Sequence, residues 1–129
     1  MASVVNAPQT IDALWDRGAP CPFDEVIDVR SPGEFDDDHA PGSINRPVLN
    51  DAERAAVGTI YSQDGPFAAR KIGAEHISAN IARHLREHFA GKGKDYKPLV
   101  YCWRGGQRSA SLALVLAQIG WRVTVLTAE

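Results

Sequence analysis

The sequence predicts one α/β domain built on a mainly parallel central sheet of about five strands, with helices on both faces. Three observations carry this. Short, nearly continuous apolar runs recur along the chain, as in strands buried on both faces of a parallel sheet. Longer stretches with helical spacing separate them, and strand alternating with helix is the mark of βα units. The chain has 129 residues, 44% of them hydrophobic and 23% charged, which is enough for one real core and too little for two.

The elements follow in order. A weak strand is expected at Ser3–Val5 and a short helix in "TIDALWDRG", from Thr10 to about Gly18. "VIDV" (Val26–Val29) is the first strong strand. In "SPGEF", Ser31 stands as helix N-cap, Pro32 at the first helical position and Glu34 three residues after the cap, the order of a capping box. A short strand is expected at "SIN" (Ser43–Asn45). The longest helix spans about Pro66 to Ala90, because Ile77, Ile81, Leu85 and Phe89 recur at four-residue spacing before "GKGK". "LVYC" (Leu99–Cys102) and "VTVL" (Val123–Leu126) are strands, with a helix from Ser109 to Gly120 between them. No internal repeat or low-complexity segment interrupts the pattern.

Composition narrows the function classes. No apolar run approaches the ~20 residues needed to cross a bilayer, and "MASVVNAPQT" lacks the order of a secretory signal, so a cytoplasmic protein is expected. The two cysteines, Cys21 and Cys102, belong to no CxxC pair and point to free thiols rather than a disulfide framework or a zinc site. His84 and His88 stand four apart on the long helix, but no Glu intervenes as in H-E-x-x-H; with His76 they read as solvated helix histidines, and no metal and no cofactor is expected. Residues 1–64 carry 12 acidic against 4 basic side chains, net −8. Residues 65–129 carry 4 against 10, net +6, so the half that holds Cys102 suits an anionic ligand.

The chemistry concentrates in "LVYCWRGGQRSASLALVLAQIGW" (Leu99–Trp121). A strand, a loop and a helix in that order put Cys102 at the carboxyl end of the sheet, where α/β folds bind ligands. Gly105 and Gly106 let successive N–H groups converge, the start of the next helix adds partial positive charge, and Arg104 and Arg108 flank the loop. A thiolate there is expected to have a lowered pKa and to be nucleophilic. A structural cysteine buried on a strand is the alternative, but it does not require the Gly-Gly-x-Arg loop. The Arg108 guanidinium is expected to fold back under the loop onto its carbonyls and the bound anion, with Arg104 turned toward the incoming donor. Cys21 has no such cradle and reads as inert. Trp15 and Trp121 read as packing residues, and Trp103 as lining the substrate mouth.

The stretch "VIDVRSPGEFDDDHAPGSINRPV" resembles the first motif of rhodanese-like domains, in which Asp-x-Arg after a strand is followed by a Glu-Phe helix, a His and a Pro-Gly-x-x-Asn turn. That family also places a catalytic cysteine after a central strand, and the two motifs together reach from Val26 to Trp121. Rhodanese loops usually run from cysteine to an arginine five positions on, whereas Cys102 to Arg108 is six. The string C-W-R-G-G-Q-R-S therefore also fits the C-x-x-G-x-x-R-S of cysteine phosphatases, although Tyr101 stands where tyrosine phosphatases carry His.

More specifically, "LVYCWRGGQRS", "RPVLNDAERAAVGTIY" and "ARKIGAEHISANIARHL" look like the N-terminal rhodanese domain of the tRNA 2-selenouridine synthase family, bacterial enzymes that exchange the sulfur of 2-thiouridine in tRNA for selenium. The resemblance implies that Cys102 holds sulfur or selenium as a persulfide or selenosulfide. It implies that Trp103, Arg104, Gly105, Gly106, Gln107 and Arg108 bind an anionic donor: thiosulfate, a persulfide or selenophosphate. Asp28, Arg30 and Glu34 belong to the first motif and read as structural pairing between strand and helix, and His39 as a turn or packing residue. The implied partners are tRNA and the P-loop domain of the full-length family. No G-x-x-x-x-G-K-[ST] occurs here, and residues 1–129 are expected to form one rhodanese-like domain without its last turn and helix. Two alternatives stand beside the transferase: a rhodanese-fold phosphatase or arsenate-reductase-like enzyme, and a non-catalytic docking module.

Overall fold

The computed structural model describes residues 6–11, 20–102 and 107–127. Strands β1 (Gln9–Ile11), β2 (Glu25–Asp28), β3 (Ile44–Asn45), β4 (Pro98–Tyr101) and β5 (Thr124–Leu126) form one sheet in the order β1, β5, β4, β2, β3. Every pairing is parallel, as expected for a sheet whose connections are helical. The helices are α1 (Pro32–Asp37), α2 (Asp51–Asp64), α3 (Pro66–Glu87) and α4 (Gln107–Ile119), and a 3-10 turn covers Phe89–Gly91.

β4 lies at the centre, all four of its residues buried, with Val100 opposite Ile27 on one side and Val125 on the other. Period-two alternation divides its side chains between two cores. Val100, Ile27 and Val125 face the larger core, which α3 supplies with Ile81 and α4 with Leu112 and Leu116. Leu99 and Tyr101 face the smaller one, with Val26 and Leu126, packed against Ile11, Phe23 and Ala40. Helices α3 and α4 thus cover one face. On the other face the described cover is that of Ile11, Phe23 and Ala40, and residues 12–19 lie outside the described residues.

Several boundaries differ from expectation for identifiable reasons. Thr10 and Ile11 do not begin a helix; they pair with Val125 and Leu126, and the Thr127 amide donates to the Ile11 carbonyl at 2.8 Å, so the open edge of β5 captures them. The rest of that expected helix, with Trp15, and the expected strand at Ser3–Val5 lie outside the described residues. α4 starts at Gln107 rather than Ser109. α3 stops at Glu87, and the 3-10 turn swings Phe89 into the core against Tyr96 and Trp121. α2 is an element the apolar spacing did not reveal, because it buries none of its own residues. Gly65 joins it to α3 at φ 94°, a conformation that favours glycine, and its amide closes α2 on the Tyr61 carbonyl. No helix among the described residues is long and apolar enough to cross a membrane.

Of the three histidines on and just after α3, His84 and His88 are not solvated, whereas the His76 side chain is 36% exposed. His84 is 2% exposed and its Nε2 donates to the Pro47 carbonyl at 2.6 Å, while His88 meets Glu25 at 2.8 Å and His76 meets Glu53 at 3.1 Å. They anchor the helix to the sheet edge and to α2. Among the described residues no group of three or more His, Cys, Asp or Glu could hold a metal ion.

Candidate active site

Cys102 follows directly on β4, so the central strand delivers it to the carboxyl end of the sheet. Alternation turns it away from Tyr101 and into the larger core, where it is 3% exposed. Its thiol donates to the Ser109 hydroxyl at 3.2 Å, from the first turn of α4. A hydroxyl can rotate, so the group that accepts from the thiol can donate to the thiolate. Trp103, Arg104, Gly105 and Gly106 lie outside the described residues.

Arg108 stands one residue before Ser109, and its guanidinium meets a carboxylate. Nη1 donates to Glu34 Oε1 at 2.7 Å and Nη2 to Oε2 at 3.3 Å, a forked pair with both side chains 19% exposed. The observed partner comes from α1; the carbonyls of residues 103–106, on which Arg108 was expected to fold back, lie outside the described residues. Glu34 accepts further hydrogen bonds from the Ser31 amide at 3.1 Å and the Ser31 hydroxyl at 2.9 Å, and Arg54 Nε of α2 stands 3.3 Å from Oε1. Burial pushes the Glu34 carboxyl up, but the Arg108 and Ser31 hydrogen bonds outweigh it and hold the pKa down at about 2. Gln107 is exposed at the start of α4.

Beside this cluster the surface is hollow. A cavity of about 590 Å³ between α2 and α4 is lined by Arg54, Tyr61 and Arg108 among others. A larger one of about 950 Å³ opens between α2, α3 and α4, with Arg108 and Gln107 at one wall and Ile77, Ile81 and Leu114 at others.

Asp28 and Arg30 sit elsewhere. Both are buried and paired at 2.7 Å; Arg30 also donates to the Asp38 carbonyl and the Tyr101 hydroxyl to Asp28 Oδ2 at 2.9 Å. The same hydroxyl accepts from the Ala40 amide at 3.0 Å. This network joins β2, β4 and the loop before β3 on the face that Tyr101 points to, opposite Cys102. His39 stacks on Phe35 with ring centroids 3.8 Å apart and contacts the Phe35 carbonyl. Of the first motif, Glu34 meets Arg108, which stands two residues into α4. Sequence reasoning missed Ser109 and Arg54 as members of the cluster; the "RS" that closes the C-x-x-G-x-x-R-S string was the available signal for Ser109. Nothing in the spacing of "AERAAV" marked Arg54, which depends on where α2 packs.

Comparison with known proteins accords with this geometry. The family profile "Rhodanese-like domain" matches residues 10–128. The tRNA 2-selenouridine synthase of Nitrosomonas europaea is 44% identical over 85 residues, covering 65% of this chain and 22% of that protein. The one from Bdellovibrio bacteriovorus is 37% identical over 107 residues, covering 79% of this chain and 26% of that protein. The chain thus spans about a quarter of the length of these curated relatives. Among solved structures, the N-terminal domain of a proposed ATP/GTP-binding protein from Clostridium difficile 630 superposes with a TM-score of 0.67 at 34% identity, over 81% of this chain and 83% of that one.

Proposed function

The chain belongs to the rhodanese-like domain family, and on that footing we propose that it is a sulfur or selenium transferase domain that carries the transferred atom on Cys102. The observation that supports this best is a single thiol at the carboxyl end of the central strand, hydrogen-bonded to Ser109 in the first turn of α4, the helix that also carries Arg108. Having lost its proton to solvent, the Cys102 thiolate attacks the outer sulfur of thiosulfate. A sulfur–sulfur bond forms to the enzyme, the bond to the sulfonate breaks, and sulfite departs with the electron pair. A nucleophilic acceptor then takes the outer sulfur and releases the thiolate.

In this reading Trp103, Arg104, Gly105, Gly106, Gln107 and Arg108 meet the anionic donor, and Asp28 and Arg30 serve the fold. The name of the similar synthases supplies the acceptor, a uridine of tRNA. The full exchange would draw on a P-loop domain beyond the single domain of residues 1–129. The work belongs in the cytoplasm, where thiols stay reduced.

The test is cyanide-dependent thiocyanate formation from thiosulfate, run beside nitrophenol release from an aryl phosphate. We expect thiocyanate and no nitrophenol, loss of activity in Cys102→Ser, and one added sulfur on Cys102 by mass spectrometry. Nitrophenol alone would make the domain a phosphatase. Silence in both assays with retained tRNA binding would make it a docking module, and sulfur on Cys21 would overturn the site.

A further inference from the structure

We propose that Glu34 is a positioning residue for Arg108, fixing in space the guanidinium that receives the anionic donor; this rests on the reading above that Arg108 meets that donor. Two effects oppose each other here. A carboxylate beside Arg108 cancels charge and so weakens the pull on an anion, whereas a forked pair fixes the direction in which the remaining N–H groups point.

The geometry favours the second. Glu34 is not a free surface partner: its Oε1 is held by the Ser31 amide and hydroxyl, so the capping box of α1 fixes the carboxylate before Arg108 reaches it. Arg108 spends one hydrogen on each carboxylate oxygen. Of the five N–H groups of a guanidinium this leaves three for a ligand. The lost charge is replaced, because Arg54 approaches the same Oε1 from α2 and lines the same cavity of about 590 Å³ as Arg108. Two guanidiniums on one carboxylate leave the trio net positive, with Arg108 oriented from outside its own loop. The next residue, Ser109, holds the Cys102 thiol, so Arg108 and the partner of the reacting sulfur leave the same first turn of α4.

The experiment compares alkylation of Cys102 by anionic iodoacetate and neutral iodoacetamide, read per cysteine by mass spectrometry in wild type, Glu34→Gln, Arg108→Lys and the double variant. It needs no transferase activity. In wild type the iodoacetate-to-iodoacetamide rate ratio should be higher at Cys102 than at Cys21. Glu34→Gln should lower that ratio at Cys102 about three- to ten-fold while the iodoacetamide rate stays within about two-fold, and Arg108→Lys should do the same. The double variant should fall no further than either single, as for two residues acting as one unit. Where thiosulfate is turned over, Glu34→Gln should raise KM with kcat little changed. A ratio that rises in Glu34→Gln would mean that the carboxylate only repels anions. A ratio that holds while thermal stability drops would mean that it only ties α1 to α4. Either result overturns the proposal, as do additive losses in the double variant or a wild-type ratio no higher than at Cys21. A wild type that gives the expected ratios but no thiocyanate would leave the positioning role standing and remove the transferase reading.

Discussion

The Ser109 hydroxyl is buried and sits 3.2 Å from the Cys102 sulfur, so it can stabilise whichever form of the thiol is present. Ser109→Ala should slow alkylation of Cys102 at pH 7 several-fold and leave Cys21 unchanged, as for loss of one charge-assisted hydrogen bond. Two other residues contribute to the response to acid in separate windows, and Glu25 and Glu53, whose carboxyls are also lowered, share the lower one. His84 is buried and its pKa is lowered chiefly by burial; Nε2 is occupied by the Pro47 carbonyl, and Nδ1 has no partner among the described residues. The folded state therefore prefers the neutral ring. The stability it contributes is complete above the ordinary histidine value of 6.5 and declines as pH falls below it. Glu34, held at about 2, contributes stability that is complete above the ordinary value of 4.5 and is lost as pH falls from there toward 2. Urea midpoints measured from pH 8 to pH 3 should fall in two stages. His84→Gln, which keeps a donor for Pro47, should flatten the upper stage, and Glu34→Gln should reduce the lower one, leaving the share of Glu25 and Glu53. The importance of Glu34 was only half visible in the sequence: "SPGEF" announced its cap, but its partner Arg108 lies 74 positions away and is brought to it only by the fold.

Among the elements, α2 shows how a helix can be essential to a site and yet nearly silent in the apolar pattern. It buries no residue, so its place depends on polar ends and on one neighbour. Asn50 Oδ1 accepts from the Glu53 amide at 2.7 Å, the Asn50 amide donates back to the Glu53 carboxylate at 2.8 Å, and Asn80 of α3 donates to that same carboxylate at 2.9 Å. Asn50→Ala should cost about 1 kcal/mol and act locally. Hydrogen exchange should quicken over Asp51–Asp64 while β4 stays protected; uniform loss of protection would show instead that α2 is coupled to the whole core. By contrast α3 carried its Ile77, Ile81, Leu85 and Phe89 stripe openly, and only its final turn differed, because Phe89 must leave the helix to meet Tyr96 and Trp121.

At the scale of the molecule, the buried Asp28, Arg30 and Tyr101 network holds the centre of the sheet to the loop before β3. Asp28 is wholly buried, so a missing donor there leaves part of a charge uncompensated. Tyr101→Phe should lower unfolding free energy by about 1–3 kcal/mol. The rate of iodoacetamide at Cys102 should hardly change, since alternation turns the two neighbours to opposite faces. Equal losses of stability and thiol reactivity would contradict that separation. The sequence by itself determined that the chain is α/β, that strands run through the apolar stretches at 26–29, 99–102 and 123–126, each within one residue of its observed bounds, and that Cys102 stands at the end of one of them before a pair of glycines. These are local facts, written in periodicity, caps and turn residues that act over a few positions. Only the tertiary structure decided that Thr10 and Ile11 complete the sheet, that Asp28 and Arg30 join Tyr101 in one buried network, and that Glu34, Arg54 and Arg108 meet. Those outcomes depend on which strands lie side by side and which helices cross above them, and a parallel sheet in the order β1, β5, β4, β2, β3 brings together residues that no short-range pattern connects.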